Sequence, residues 1–283
     1  MSDDTAQLTA YLARIGLDKR PATDAAGLAE IQFAHRRTIT FENLDIMLGR
    51  AVDIGPDAVF DKLVTRRRGG YCFEQNTLYA RMLTAIGFTN RLLLARVLLG
   101  DPADLPPLTH CLVLVELDGE PWVADAGFGG SYVAPMPLRD GAEATTPDGA
   151  RHRLRRIGDA ASLPGEWQLE RLGPSGATDG RAGSEGWQKQ YAFTLGEIAP
   201  ADLELGNLWT STHPTARFTN LHVVSQALEN GFARLTEREF ATYSGGKDEA
   251  RMIDTPEDYH TVLRDVFGLG LSAEEAARLP LFA

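Results

Sequence analysis

Residues 66–76 read RRRGGYCFEQN, and Cys72 in that run is one of two cysteines in the chain, the other being Cys111. An ordinary thiol is mostly protonated at neutral pH, with a pKa of about 8.5. A helix N-terminus, with its unsatisfied N–H groups, and a nearby imidazolium each favour the thiolate. The apolar stripe Leu78, Tyr79, Met82, Leu83 and Ile86, closed by Gly87, predicts a helix beginning at Cys72. Gly69 and Gly70 allow the backbone ahead of it to approach a ligand. Cys72 is therefore a candidate nucleophile for acyl transfer, with first-turn amides to bind the oxyanion. A small buried apolar cysteine at a helix start fits the same residues.

A nucleophile needs a base, and the base needs a carboxylate to fix its tautomer. The runs HCLVLVEL (110–117) and PWVADAGF (121–128) alternate as strands, and Asp118-Gly119 between them is a two-residue hairpin signal. Such a turn pairs Leu117 with Glu120, Leu112 with Asp125 and His110 with Gly127. His110 and Asp125 then share one sheet face as diagonal neighbours, about 7–8 Å apart by backbone. A four-residue loop keeps that parity and an odd-length loop destroys it. Asp125 in an apolar strand is costly unless it is paired, and an imidazolium would pair it. Cys111 alternates to the opposite face among Val113 and Val115, which predicts inert core.

Two further stretches lie close to this set. Arg68, if buried, requires a carboxylate, and FENLD (41–45) offers Glu42 and Asp45; an Arg68–Glu42 pair bracing the helix mouth is expected. GFGG (127–130) is a loop rich in N–H groups directly after the Asp125 strand, suited to a phosphate-bearing ligand or simply a turn. STHPTARF (211–218) reads as a polar surface loop. His35, His152, His213, His222 and His260 show no metal-ligand spacing, so no metal is expected.

The elements that must hold these residues follow from periodicity. Leu8, Tyr11, Leu12 and Ile15, stopped by Gly16, predict a first helix; Leu28, Ile31 and Phe33 a second; Ala58, Val59, Leu63 and Val64 a third. RLLLARVLL (91–99) predicts a strand. From 140 to 190 the chain is rich in Gly, Pro, Ala and charge, with RHRLRRI and EWQLERL as exposed strands. Beyond it a short helix, strands in LHVVSQAL and GFARLTEREFATYS, and closing helices in TPEDYHTVLRDVFGL and SAEEAARLPLF are expected.

The bulk numbers narrow the class. A chain of 283 residues suggests two or three substructures, and 43% apolar with 24% charged residues is ordinary globular composition. The net charge of −11 argues against a nucleic-acid partner but not against a small anionic ligand in a local pocket. No basic, apolar leader and no membrane-length apolar run is present, and two cysteines make no disulfide framework, so a cytoplasmic protein without membrane contact is expected.

With FEN (41–43), RGGYCFEQN (68–76), RV (96–97), His110 ahead of a strand, DAGFGG (125–130) and NLWTSTHPTARF (207–218) in this order, the sequence resembles the arylamine N-acetyltransferases. The resemblance implies an α+β fold: a helical domain carrying the nucleophile (1–90), a β-barrel domain carrying His and Asp (91–195) and an α/β lid (196–283), around a papain-like catalytic core. It implies a Cys72, His110 and Asp125 triad that takes an acetyl group from acetyl-CoA and passes it to an arylamine, arylhydroxylamine or hydrazine. Thr109, Phe128, Gly129, Gly130, Asn207 and Thr212 are the implied cofactor contacts, and Phe41 and Phe128 the walls for the acceptor. Thr40 stands where many members have Pro, and Cys111 where other apolar residues are usual. A CoA-independent, macrolactam-forming amide synthase of the same family, a cysteine hydrolase and a catalytically silent binding protein are the alternative readings. Self-association and the identity of the acceptor are left open.

Overall fold

The computed structural model describes residues 3–282 other than 182 and 184. Helix α1 (Asp3–Ile15) buries Leu8, Tyr11, Leu12 and Ile15 and stops at Gly16, whose φ of 77° is left-handed. Helix α2 (Ala25–Thr38) starts where the Asp24 carboxylate accepts the Gly27 N–H at 2.8 Å. Its buried face differs from the expected one: Leu28 and Ile31 are joined by Gln32, His35 and Arg36, and Phe33 is only half-buried. Strand β1 (Phe41–Glu42), helix α3 (Leu44–Met47) and helix α4 (Pro56–Phe60) follow, and α4 widens into a π-helical turn (Asp61–Thr65) that buries Leu63 and Val64. Helix α5 (Cys72–Ile86) begins at Cys72 and is capped by Gly87 at φ 109°, as its stripe predicts.

Strands β2 (Thr89–Val97), β3 (Leu108–Leu117), β4 (Glu120–Ala124), β5 (Met136–Pro137), β6 (Glu143–Thr145), β7 (Arg151–Arg156), β8 (Trp167–Leu172) and β9 (Gln188–Phe193) build one antiparallel sheet, ordered β5-β4-β3-β2-β9-β8-β7-β6. Strand β8 is mostly buried rather than exposed, because it lies inside the sheet between β7 and β9. The β3–β4 hairpin has the expected register, Leu117 opposite Glu120 and Val113 opposite Ala124. Asp118 (φ 51°) and Gly119 (φ 79°) are both left-handed, the geometry of a tight turn that matches strand twist. One face of this sheet packs Val113, Val115, Leu117 and Ala124 against α1, α2 and α5. Leu112 and Val123 face the other side, with Phe128, Leu154, Leu169, Tyr191 and Phe193.

Helix α6 (Pro200–Thr212) is thirteen residues long, so Ser211 and Thr212 are helical where a loop was expected. Strands β10 (Val223–Leu228), β11 (Gly231–Thr236), β12 (Glu239–Ser244) and β13 (Lys247–Met252) form a second antiparallel sheet. Its other edge is β1, with Phe41 opposite Ser225, so the FEN segment folds into the C-terminal sheet. Strand β13, exposed along its whole length, carries KDEARM, in which only Ala250 and Met252 are apolar. Helices α7 (Pro256–Asp265) and α8 (Ala273–Ala277) cover this sheet through Tyr259, Val262, Leu263 and Ala276. No described helix is long and apolar enough to cross a membrane.

Candidate functional site

The first turn of α5, the start of β3 and the end of β4 meet at one place, and Cys72, His110 and Asp125 meet there. All three are nearly inaccessible to solvent. His110 Nε2 and Asp125 Oδ2 are 2.7 Å apart, the contact that the hairpin parity predicts. Burial alone would raise the Cys72 thiol. A hydrogen bond from Cys111, then the hydrogen bond and charge of His110, outweigh burial and bring Cys72 down to about 6. Burial alone would likewise lower His110, but the Asp125 charge and hydrogen bond, then Cys72, lift it to about 10. Between those values the stable form of the pair is thiolate and imidazolium. The position of Cys72 at the positive end of the α5 dipole favours the same state.

Asp125 is held as an acceptor on both oxygens. Its Oδ1 accepts the Asn76 amide at 2.9 Å and the Gly127 N–H at 3.0 Å. These bonds, with the His110 charge, outweigh burial and keep the carboxyl below its ordinary pKa. Asn76 follows Cys72 by four residues and lies on the same helix face, so one helix supplies Cys72 and the clamp on the Asp125 carboxylate. Gln32 adds a second clamp: its Oε1 accepts the Asp125 N–H at 2.8 Å, and its amide donates to Val133 O at 2.6 Å. Arg36, one turn on, donates to Phe128 O at 3.2 Å. His35 spends both ring nitrogens on Tyr11 and Gln75, and burial pushes it down to about 3, so it stays neutral. Sequence reasoning passed over Gln32, His35, Arg36 and Asn76. Only Asn76 carried a signal, the four-residue spacing from Cys72.

The expected Arg68–Glu42 pair is present at 2.9 Å, with both side chains buried. It is the end of a longer chain of charges. Arg68 also meets Asp45 at 3.2 Å; Lys62 bridges Asp45 at 2.8 Å and Glu74 at 2.6 Å; Glu74 accepts the Tyr71 N–H at 3.0 Å. The network therefore ends on the residue before Cys72. Backbone crowding explains the glycines: a Cβ at Gly69 would sit 2.2 Å from Thr40 O, and one at Gly127 would sit 3.0 Å from the Cys72 Cα. Removing the Glu42 charge leaves Arg68 with half its compensation. Glu42→Gln is expected to cost roughly 3 kcal/mol of stability and to lower turnover, as breaking a buried pair does. Wild-type melting and wild-type rates together would refute the bracing role.

Cys111 corrects the reading of inert core. It does alternate away from His110, but α5 packs on that face, so its Sγ lies 3.3 Å from the Cys72 carbonyl oxygen. Burial pushes its own thiol well above the ordinary range, leaving it a protonated donor beside Cys72.

A small cavity of about 30 Å³, room for a water molecule or two, opens over Cys72. Phe41, Thr109, His110, Phe128, Gly129 and Gly130 line it, with Arg181 and Phe218. The Thr109 carbonyl faces Cys72 Sγ at 3.5 Å. The Phe128 ring meets the His110 ring edge-on at 5.3 Å. Asn207 and Thr212 do not line this cavity. Asn207 accepts from the Tyr71 hydroxyl and donates to Val52 O at 3.0 Å, tying α6 to the turn before Cys72. Thr212 is exposed and bonds back to Leu208 O within α6.

Comparison with known proteins shows the family. A family model described as N-acetyltransferase matches residues 24–276. The arylamine N-acetyltransferase of Escherichia coli (strain K12) is 37% identical over 267 residues, covering 93% of this chain and 89% of that protein. The Mycolicibacterium smegmatis arylamine N-acetyltransferase is 36% identical, covering 93% and 92%. The solved arylamine N-acetyltransferase from Salmonella typhimurium superposes with a TM-score of 0.87 at 34% identity, covering 98% of this chain and 99% of that one. The Mycobacterium marinum enzyme, solved in complex with CoA, superposes at 0.84 with 30% identity, covering 98% and 100%. With that fold, and with sequence identity along nearly its whole length, the chain belongs to the arylamine N-acetyltransferase family.

Proposed function

We propose that this enzyme transfers an acetyl group from acetyl-CoA to arylamines, arylhydroxylamines or hydrazines by a ping-pong route through an acetyl-Cys72 thioester. The observation that carries the reading is the buried chain Cys72–His110–Asp125 at the mouth of α5, with its charge pattern already set for thiolate attack. The Cys72 thiolate attacks the thioester carbonyl of acetyl-CoA; the C–S bond to CoA breaks, and the His110 imidazolium gives its proton to the leaving CoA thiolate. The amine then attacks the acetyl-Cys72 carbonyl, neutral His110 takes the amine proton, and the Cys72 sulfur leaves as thiolate. Asp125 keeps His110 oriented throughout.

Thr109, Phe128, Gly129 and Gly130 are the residues we assign to the donor, and Phe41 and Phe128 to the acceptor ring. All line the cavity over the sulfur. Asn207 and Thr212, on α6 outside that cavity, are assigned to the donor beyond its reacting end, and Asn207 also ties α6 to Tyr71. The cavity is smaller than an aryl ring, so binding requires side chains at its rim, Phe218 among them, to give way.

Incubation with acetyl-CoA alone should release one equivalent of CoA and leave one acetyl group on the Cys72 peptide. Addition of an aniline or a hydrazine should discharge it and start turnover. Continued CoA release without amine, beyond the first equivalent, would make the protein a hydrolase. Absence of both adduct and release would favour the CoA-independent amide synthase.

A further inference from the structure

Arg217 is a charged group beside the cavity with nothing to hold. It opens the short 3-10 turn Arg217–Thr219, and its neighbour Phe218 lines the cavity over Cys72. Its Nε is buried without a hydrogen-bond partner, and among the described residues the side chain makes no hydrogen bond and no ion pair. The other enclosed arginines differ: Arg68 holds Glu42 and Asp45, Arg171 holds Asp148, and Arg36 holds Phe128 O. A partly desolvated charge without a partner is costly, and proteins tolerate it where a ligand completes it.

The surroundings add a second observation. Asp179 and Arg181 both line the cavity and pair with each other at 2.7 Å. Asp179 also accepts the Arg181 N–H at 3.2 Å, and its own N–H donates to Gly130 O at 2.9 Å, which fixes it against the glycine loop. Arg217 feels the Arg181 charge as repulsion and the Asp179 charge as attraction. Two guanidiniums and one carboxylate leave one uncompensated positive charge beside the cavity, in a chain whose net charge is −11.

We propose that Arg217, with Arg181 at its side, recognises an oxyanion on a substrate of the Cys72 site. The planar guanidinium fork suits a phosphate or a carboxylate equally. Two sources fit the reaction: a phosphate of the CoA donor, or a carboxylate on the ring of the acceptor. The inference rests on the acyl-transfer reading above and assigns it a specificity residue.

The test uses Arg217→Gln and Arg217→Lys in the full chain, with melting temperature as the check on folding. Donor KM is compared for acetyl-CoA and the phosphate-free S-acetyl-pantetheine. Acceptor KM is compared for 4-aminobenzoate and its neutral ethyl ester. Arg217→Gln should raise KM for the anionic member of one pair by about ten- to a hundredfold, the worth of a charge-assisted hydrogen bond, and leave the neutral member unchanged. Arg217→Lys should recover part of the loss. A donor effect assigns the phosphate, and an acceptor effect assigns the carboxylate. Equal changes in both members of each pair, or none, would overturn the assignment. Calorimetric binding of CoA and of 4-aminobenzoate to wild type and Arg217→Gln decides the same question without turnover. A wild type that binds these ligands but transfers no acetyl group would defeat the proposed reaction and not Arg217. A glutamine variant that binds both like wild type would defeat Arg217 alone.

Discussion

Cys72→Ala is expected to abolish amine acetylation, a loss of about 10⁴-fold or more, while Cys111→Ala keeps most of the rate. The asymmetry follows from what each sulfur can do. Cys72 is the thiol that the Cys111 hydrogen bond and then His110 draw down to about 6 against burial, so it is the one that is anionic at neutral pH. Without it the acyl group has no covalent carrier, and removal of the nucleophile from a cysteine or serine triad leaves only binding and oxyanion contacts. Cys111 is held protonated by burial, and its S–H donates to the Cys72 carbonyl oxygen at 3.3 Å. A thiol is a weak donor, so its loss should raise the Cys72 pKa slightly and slow acetylation by less than about tenfold. Rates and the mass of the acetylated Cys72 peptide, measured on both variants, check this. Turnover by Cys72→Ala, or a dead Cys111→Ala that still folds, would move the nucleophile to the other strand face.

The features legible in the sequence were those encoded by local geometry. Asp118-Gly119 fixes a two-residue turn, and a two-residue turn fixes which side chains share a face; the 2.7 Å His110–Asp125 contact follows from parity. The Cys72 helix was legible because its stripe and its glycine cap are contiguous. What stayed hidden depends on distant partners. Gln32, His35 and Arg36 read as the polar side of an amphipathic helix, yet they face inward because Asp125, Gln75 and the Phe128 carbonyl satisfy them there. Strand β1 is two residues long and exists only because β10 presents an edge to it. Strand β13 is exposed throughout, as an edge strand can be, and only Ala250 and Met252 in it are apolar, too few to mark it. The reading of Cys111 failed in a different way. Its face was read correctly, but strand alternation says nothing about which helix covers that face.

Rapid alkylation of Cys72 should show a midpoint near pH 6, and loss of His110 or Asp125 should move it. Two buried histidines in this chain make the argument. Burial drives His35 down to about 3, since it has neutral partners only. His110 is as deeply buried and goes the opposite way, to about 10, because Asp125 lies against it. The carboxylate thus decides whether the imidazole is charged, and the imidazolium in turn stabilises the thiolate. At pH 7 a thiol with a pKa of 6 is about 90% ionised and an ordinary one about 3%. Nucleophilicity falls with pKa, by about tenfold over that range, so the net gain in rate at pH 7 is only about threefold. At pH 6 the ionised fractions differ by more than a hundredfold, and a net gain of about tenfold over a free thiol should remain. His110→Ala removes the counter-charge but not the burial. The Cys72 midpoint should therefore rise above that of a free thiol, and alkylation at pH 6 should fall by more than about tenfold. Asp125→Asn should act in the same direction through His110. Burial then dominates the imidazole, its pKa drops, the alkaline limb of the acetylation profile moves to lower pH, and kcat falls by about 10³–10⁴-fold. Iodoacetamide rates from pH 4.5 to 10 on the three proteins read the midpoints directly. A wild-type midpoint near 8.5, or an Asp125→Asn profile that overlays the wild type, would mean that Cys72 is not held as a thiolate by this pair.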